Sequence, residues 1–393
     1  MKNSTTRSAP QLSILKTALV LAFAASAVNV SASENYRMRQ SPIGSFGGEI
    51  AAGADNPGLF GTAAITRLDI ASVVDSNGFD ITTPTTAKLT TAPLAGYTLN
   101  APGNKISFHQ TQTQVNLVGG YLTESTYADG RIAMVVNVPL ITISRSFVGA
   151  LATGSLRTPS GITLPAAYTL PGTTDNPTDL ANEGARDQWA SSLVSQNVDV
   201  SGMGDTELST VWIRHQDRLK VAAGVSVFLP TGSYDKTRGP NPGYGKFYTV
   251  RPGVAVTYNL NPNHKDESWD AGVTLAGRIS YGINTTNTET DYRSGNFVYT
   301  EVGVVKVIGN WAFGGNLLST QQVTNDTSPV VGTSCFGSVD AAGCRYKTYG
   351  VGPFIAYKLP GKDAGFNLQY NENFGGRNAV VVKSWQLRAV KAW

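Results

Sequence analysis

The chain has 393 residues, with 31 Lys and Arg against 27 Asp and Glu, 42 Gly, 16 Tyr and two Cys. Binding nucleic acid needs clustered Lys and Arg to neutralise phosphates, and a near-neutral charge spread along the chain excludes such a footprint. No segment offers the roughly 20 uninterrupted apolar residues of a membrane-spanning helix. The Gly and Tyr content suits short strands and turns better than helices.

Residues 1–32 read as a signal peptide. Lys2, Arg7 and Lys16 precede or open an apolar stretch from Thr17 to Val28, and Val30-Ser31-Ala32 follows the small-x-small rule for cleavage before Ser33. Export is the expectation. The three leader charges leave with it, so 28 basic residues face 27 acidic ones and the whole-chain pI of about 8.9 overstates the basicity. Residues 33–57 are Gly-rich and are expected either to lie in the periplasm or to fold back as a plug.

From residue 58 onward, short segments repeat a two-residue period. Between Arg218 and Pro230, Leu219, Val221, Ala223, Val225, Val227 and Leu229 share one face, while Lys220, Ala222, Gly224 and Ser226 share the other. Only a strand sorts them that way. Between Trp269 and Ile283 an apolar face again opposes a polar or small one, with an aromatic near each end, as anchoring at two membrane interfaces requires. Twelve such strands are predicted: 58–74, 104–123, 131–147, 204–214, 218–230, 246–260, 269–283, 296–308, 311–324, 346–359, 365–372 and 380–393. An even number is the rule for bacterial single-chain barrels.

The connections alternate. Glu124 to Gly130, His215 to Asp217, Asn261 to Ser268, Gly309-Asn310 and Pro360 to Ala364 are short; 75–103, 148–203, 231–245, 284–295, 325–345 and 373–379 are mostly longer. Short periplasmic turns and long extracellular loops are the signature of an outer-membrane barrel, which puts both termini in the periplasm. The expected fold is therefore an all-β, transmembrane antiparallel β-barrel over 58–393, an up-and-down meander. The long loops are 75–103 and 148–203, and within the second a short helix is expected between Thr178 and Gln196. Cys335 and Cys344, nine positions apart, fall in an outside loop where a structural disulfide is expected to persist. The chain ends on Trp393 with Trp385 and Leu387 on the same face, the terminal pattern offered to the barrel assembly machinery. Outer-membrane lipid and lipopolysaccharide are the expected surroundings.

Counting parity along each strand gives the inward positions: Arg251, Arg278, Glu301 and Arg388, the amides Asn316, Gln112, Gln322, Asn367 and Gln369, and the rings Phe297, Tyr299 and Phe354. Charges there either tune selectivity or brace the wall as an Arg and Glu network, and both readings stay open. Inward aromatics are unusual for a water-filled pore and suit a path for apolar solutes. Catalysis finds less support. His215 and His264 lie in turns beside Asp217 and Asp266, the ordinary place for a solvated His; His109 has no Ser or acid at a matching position. Gly202-Met203-Gly204-Asp205 lacks the ending of a phosphate loop and opens a strand. Neither a metal nor a cofactor is expected.

Gly202-Met203-Gly204-Asp205, Trp212, the run LKVAAGVSVFLPTGSY from Leu219 to Tyr234, Arg251-Pro252-Gly253 and the Gly315 to Asp326 segment with Gln321 and Gln322 together resemble the MetA-pathway of phenol degradation family. The match is good over 200–393; 56–147 is similar in general pattern. The resemblance implies an outer-membrane barrel that admits small hydrophobic or aromatic compounds, with no established substrate-contacting residue; a monomer is the expectation. A general porin for polar solutes, a structural or adhesive barrel and an outer-membrane hydrolase are the alternatives.

Overall fold

The computed structural model describes residues 38–39, 56–74, 82–88, 94–150, 153–165, 168–169, 176–183, 186, 197–237, 240–263, 268–327 and 345–393. The leader, Cys335, Cys344, His264 and most of 33–57 lie outside the described residues.

Twelve antiparallel strands form one ring. In ring order they are β1 (Gly58–Val74), β3 (Thr98–Leu122), β4 (Arg131–Ala150), β7 (Glu207–Gln216), β8 (Leu219–Phe228), β9 (Thr249–Asn259), β10 (Val273–Asn284), β11 (Phe297–Ile308), β12 (Trp311–Gln322), β13 (Lys347–Lys358), β14 (Ala364–Arg377) and β15 (Ala379–Ala392). β1 pairs β15 on one side and β3 on the other, and β3 also pairs β4, so the ring has no free edge. Closure matters in lipid, where an unpaired backbone group has no water to bond. All twelve expected strands are present.

Three shorter strands correct the reading of the long connections as plain loops. β2 (Thr82–Lys88) and β5 (Ser155–Arg157) pair the first residues of β3, and β6 (Val198–Met203) continues the pairing along β4 from Leu140 to Arg145. β2 is Thr-rich, so its β-branched residues favour extended backbone without an apolar alternation to mark it. The connection read as 373–379 shrinks to Asn378, whose φ of 47° turns the chain directly from β14 into β15. A helix does occupy 177–183. Asn176 caps it by accepting from the Thr178 amide at 2.8 Å, and Pro177 takes the first helical position, where a missing N–H costs nothing.

At one end of the ring the turns are tight. Asp217, with φ 49°, and Gly309, with φ 59°, open two-residue turns whose left-handed conformation matches the twist of the flanking strands. Trp269 stands in the β9–β10 turn rather than in β10, and is exposed.

Burial follows strand parity with the sense opposite to that of a water-soluble protein. Ile65, Leu117, Ile279, Val302, Leu317 and Leu387 face outward and are about half exposed, each between 50% and 54%. An apolar girdle of this kind fits a hydrocarbon surrounding. Aromatics gather toward its margins. Trp311 lies 4.6 Å from Tyr357 near the tight turns, and exposed Trp393, below Lys391, ends the chain at the same level.

Candidate functional site: the inner wall

The residues expected on the inward face are withdrawn from solvent. Arg251, Glu301, Arg388, Phe297, Tyr299, Phe354 and Asn316 are buried, and the Arg278 side chain is 14% exposed. The geometry brings several of them together.

One network runs through Glu301 on β11. Arg278, its register partner on β10, places Nη2 3.2 Å from Oε2; the Tyr299 hydroxyl donates to Oε2 at 2.9 Å, and Asn316 Nδ2 on β12 donates to Oε1 at 2.6 Å. Asn316 Oδ1 in turn accepts from Gln369 Nε2 of β14 at 3.3 Å, passing over β13. Gly352 makes that crossing possible, because a Cβ there would collide with the side-chain oxygens of Asn371 and Asn316. A buried carboxylate is tolerated only when its lone pairs are taken up, and here three donors converge on it.

A second network skips a strand in the same way. Arg251 Nη2 on β9 lies 2.7 Å from Glu207 Oε1 on β7, and the guanidinium stands 4.9 Å over the Phe228 ring of the intervening β8. Glu207 also accepts from Asn137, which accepts from Asn116, which accepts from Gln114, carrying the chain of amides onto β4 and β3. Arg388 donates to Gln386 at 2.7 Å and Gln386 to Thr66 at 2.9 Å, joining β15 to β1. These contacts favour the bracing reading for Arg251, Arg278 and Glu301.

The aromatics sit flat on the wall. Phe297 lies over Gly282 and Phe354 over Gly314, each its register partner, and a Cβ at either glycine would strike the ring. Phe297 packs with Tyr346 and Ala379 at the loop end; Phe354 packs with Val305, Ala312 and Ala356 toward the tight turns. Apolar rings and hydrogen-bonded polar groups therefore share one inner surface.

Glu207 and Arg39 escaped the sequence reading, and Asp205 entered it only as part of the Gly202-Met203-Gly204-Asp205 motif. Glu207 occupies an inward position of β7 that parity alone would have flagged. Asp205 and Arg39 form a buried ion pair at 2.7 Å across 166 residues, which no local pattern announces. His109 and His215 are exposed.

A closed ring with an apolar outside and a polar, aromatic inside defines an outer-membrane β-barrel. Residues 101–388 match the family described as "Putative MetA-pathway of phenol degradation", and the chain belongs to that family. Among solved structures it is similar to the COG4313 outer membrane channel from Pseudomonas putida F1, with a TM-score of 0.53, 11% identity, and coverage of 86% of this chain and 97% of that one. The transport unit of the autotransporter AIDA-I from Escherichia coli gives a TM-score of 0.44 at 8% identity, covering 92% and 96% of the two chains. The Ralstonia pickettii toluene transporter TbuX gives 0.36 at 8% identity, covering 86% and 90%. No curated protein sequence matches the chain.

Proposed function

We propose that this barrel is a monomeric, non-enzymatic channel that takes small hydrophobic or aromatic compounds inward across the outer membrane. The observation that carries the reading is the set of inward rings, Phe297, Tyr299 and Phe354, on a wall whose charges are already engaged with one another. These rings are 0–5% exposed, so a solute with an aromatic face exchanges contacts along them only when the groups that cover them give way, whereas paired charges leave less field for selecting free ions. Membership in a family described by phenol degradation supports the same solute class, and a fold shared with an outer membrane channel supports a channel. Outer-membrane lipid and lipopolysaccharide would surround the apolar girdle. The exposed terminal Trp393 would be presented to the barrel assembly machinery after removal of residues 1–32. A Cys335–Cys344 disulfide would brace the loop between β12 and β13.

The test is uptake of radiolabelled phenol or toluene by cells with and without the gene at limiting external concentration. The channel reading expects slower uptake in the deletion and restoration by the intact gene. Equal uptake overturns the aromatic solute class and moves the question to ion conductance.

A further inference from the structure

The loop end of the ring holds a site that the route along the wall does not use. Asp205 is 6% exposed, and four donors converge on its carboxylate. The Gly232 amide reaches Oδ1 at 3.0 Å; the Tyr244 amide, at 2.9 Å, and the Nε and Nη2 of Arg39, at 3.1 and 2.7 Å, reach Oδ2. Around Arg39 the cage is complete. Its guanidinium also donates to the Phe247 and Gly245 carbonyls and to Thr249 Oγ1, and its Cζ lies 3.8 Å over the Phe247 ring. Arg39 itself is 2% exposed.

The glycines that drew attention in the sequence are what build this cage. A Cβ on Gly204 would meet Ile141 and Pro139, one on Gly202 the Ser233 hydroxyl, and one on Gly232 both Gly243 and Asp205 itself. Gly202-Met203-Gly204-Asp205, the Gly232 of FLPTGSY and Gly243 thus let three loop-end segments close around one carboxylate. Stacking plus a fork of directed acceptors is the geometry that recognises a planar guanidinium and not merely a positive charge.

We propose that this cage is an arginine-binding latch whose ligand is the chain's own Arg39. Latching seats the neighbouring Met38 against Phe297, Tyr346 and Ala379, where it is 4% exposed. Phe297 is one of the rings assigned to the solute path, so Met38 and a solute compete for the same surface. The inference rests on that assignment and adds its regulation: passage requires Arg39 to leave Asp205.

Single-channel recording of the full chain in planar lipid bilayers tests it. Arg39→Ala is expected to raise open probability at least about tenfold, because a buried, multiply bonded ion pair biases the equilibrium by more than that factor. Arg39→Lys, which keeps the charge and loses the fork, is expected to fall between Arg39→Ala and the wild type. Millimolar guanidinium chloride added on the loop side of the wild type should raise open probability above equal sodium chloride, and it decides the matter if Arg39→Ala does not fold. Open probability unchanged by the substitution, or by guanidinium where the variant is lost, overturns the latch. The cell-uptake measurement, which does not involve Arg39, judges the channel reading separately.

Discussion

The two faces of the same strands obey opposite rules, and β10, β11 and β12 show it side by side. Outward, Ile279, Val302 and Leu317 are apolar and about half exposed. One residue along, Arg278, Glu301 and Asn316 turn inward and are tied together at 2.6–3.2 Å. In a soluble protein the apolar face would be the core; here lipid takes that part, and hydrogen bonds supply the cohesion of the interior. The difference extends to ion pairs. Glu372 and Lys383, 3.0 Å apart, have side chains 38% and 58% exposed, whereas the Glu301 side chain is wholly buried. Exposed pairs of that kind contribute little. An inner-wall residue thus holds the barrel and shapes the route at once, so substitutions there should change both.

Glu301→Gln breaks the comparison most sharply. It removes the carboxylate on which Arg278, Tyr299 and Asn316 converge, and the expected loss is about 3–5 kcal/mol, the usual cost of removing one partner of a buried pair. Urea unfolding from lipid vesicles measures it; a loss below about 1 kcal/mol, typical of a surface pair, would mean that lumen water carries the charges instead. Leu317→Arg probes the other face at mid-strand. Placing a charge at the bilayer midplane is expected to cost about 2–4 kcal/mol, with conductance of the folded fraction unchanged. A neutral effect would show that Leu317 does not face hydrocarbon.

Most of the barrel was legible because a strand's period of two is a local property. Leu219 through Leu229 announce β8 by themselves, and once strand parity is known the inward set follows without any contact being known. The pairing was not legible. Which residue Arg251 meets depends on the register of β7, β8 and β9 together, and the Asn316–Gln369 contact depends on Gly352 lacking a side chain on a strand between them. Arg39 and Asp205 lie farther beyond reach, since one belongs to the segment before the first strand and the other precedes β7. β7 starts at Glu207, three residues beyond the expected 204, and Asp205 just before it turns its carboxylate to the cage. β2, β5 and β6 were missed because two are short and one is polar, with no apolar face for lipid to select.

The most direct test of the central claim uses purified protein in place of cells. Vesicles loaded with a labelled aromatic acid such as hydroxybenzoate, which is charged at neutral pH and crosses bare lipid slowly, and reconstituted with the wild type, Arg39→Ala or a triple Phe297→Ala, Tyr299→Ala and Phe354→Ala variant, report flux through the lumen as the excess over protein-free vesicles. The account predicts flux above protein-free vesicles in the wild type, more in Arg39→Ala, and a fall toward background in the triple variant while its barrel remains folded. Flux indifferent to all three rings would contradict it.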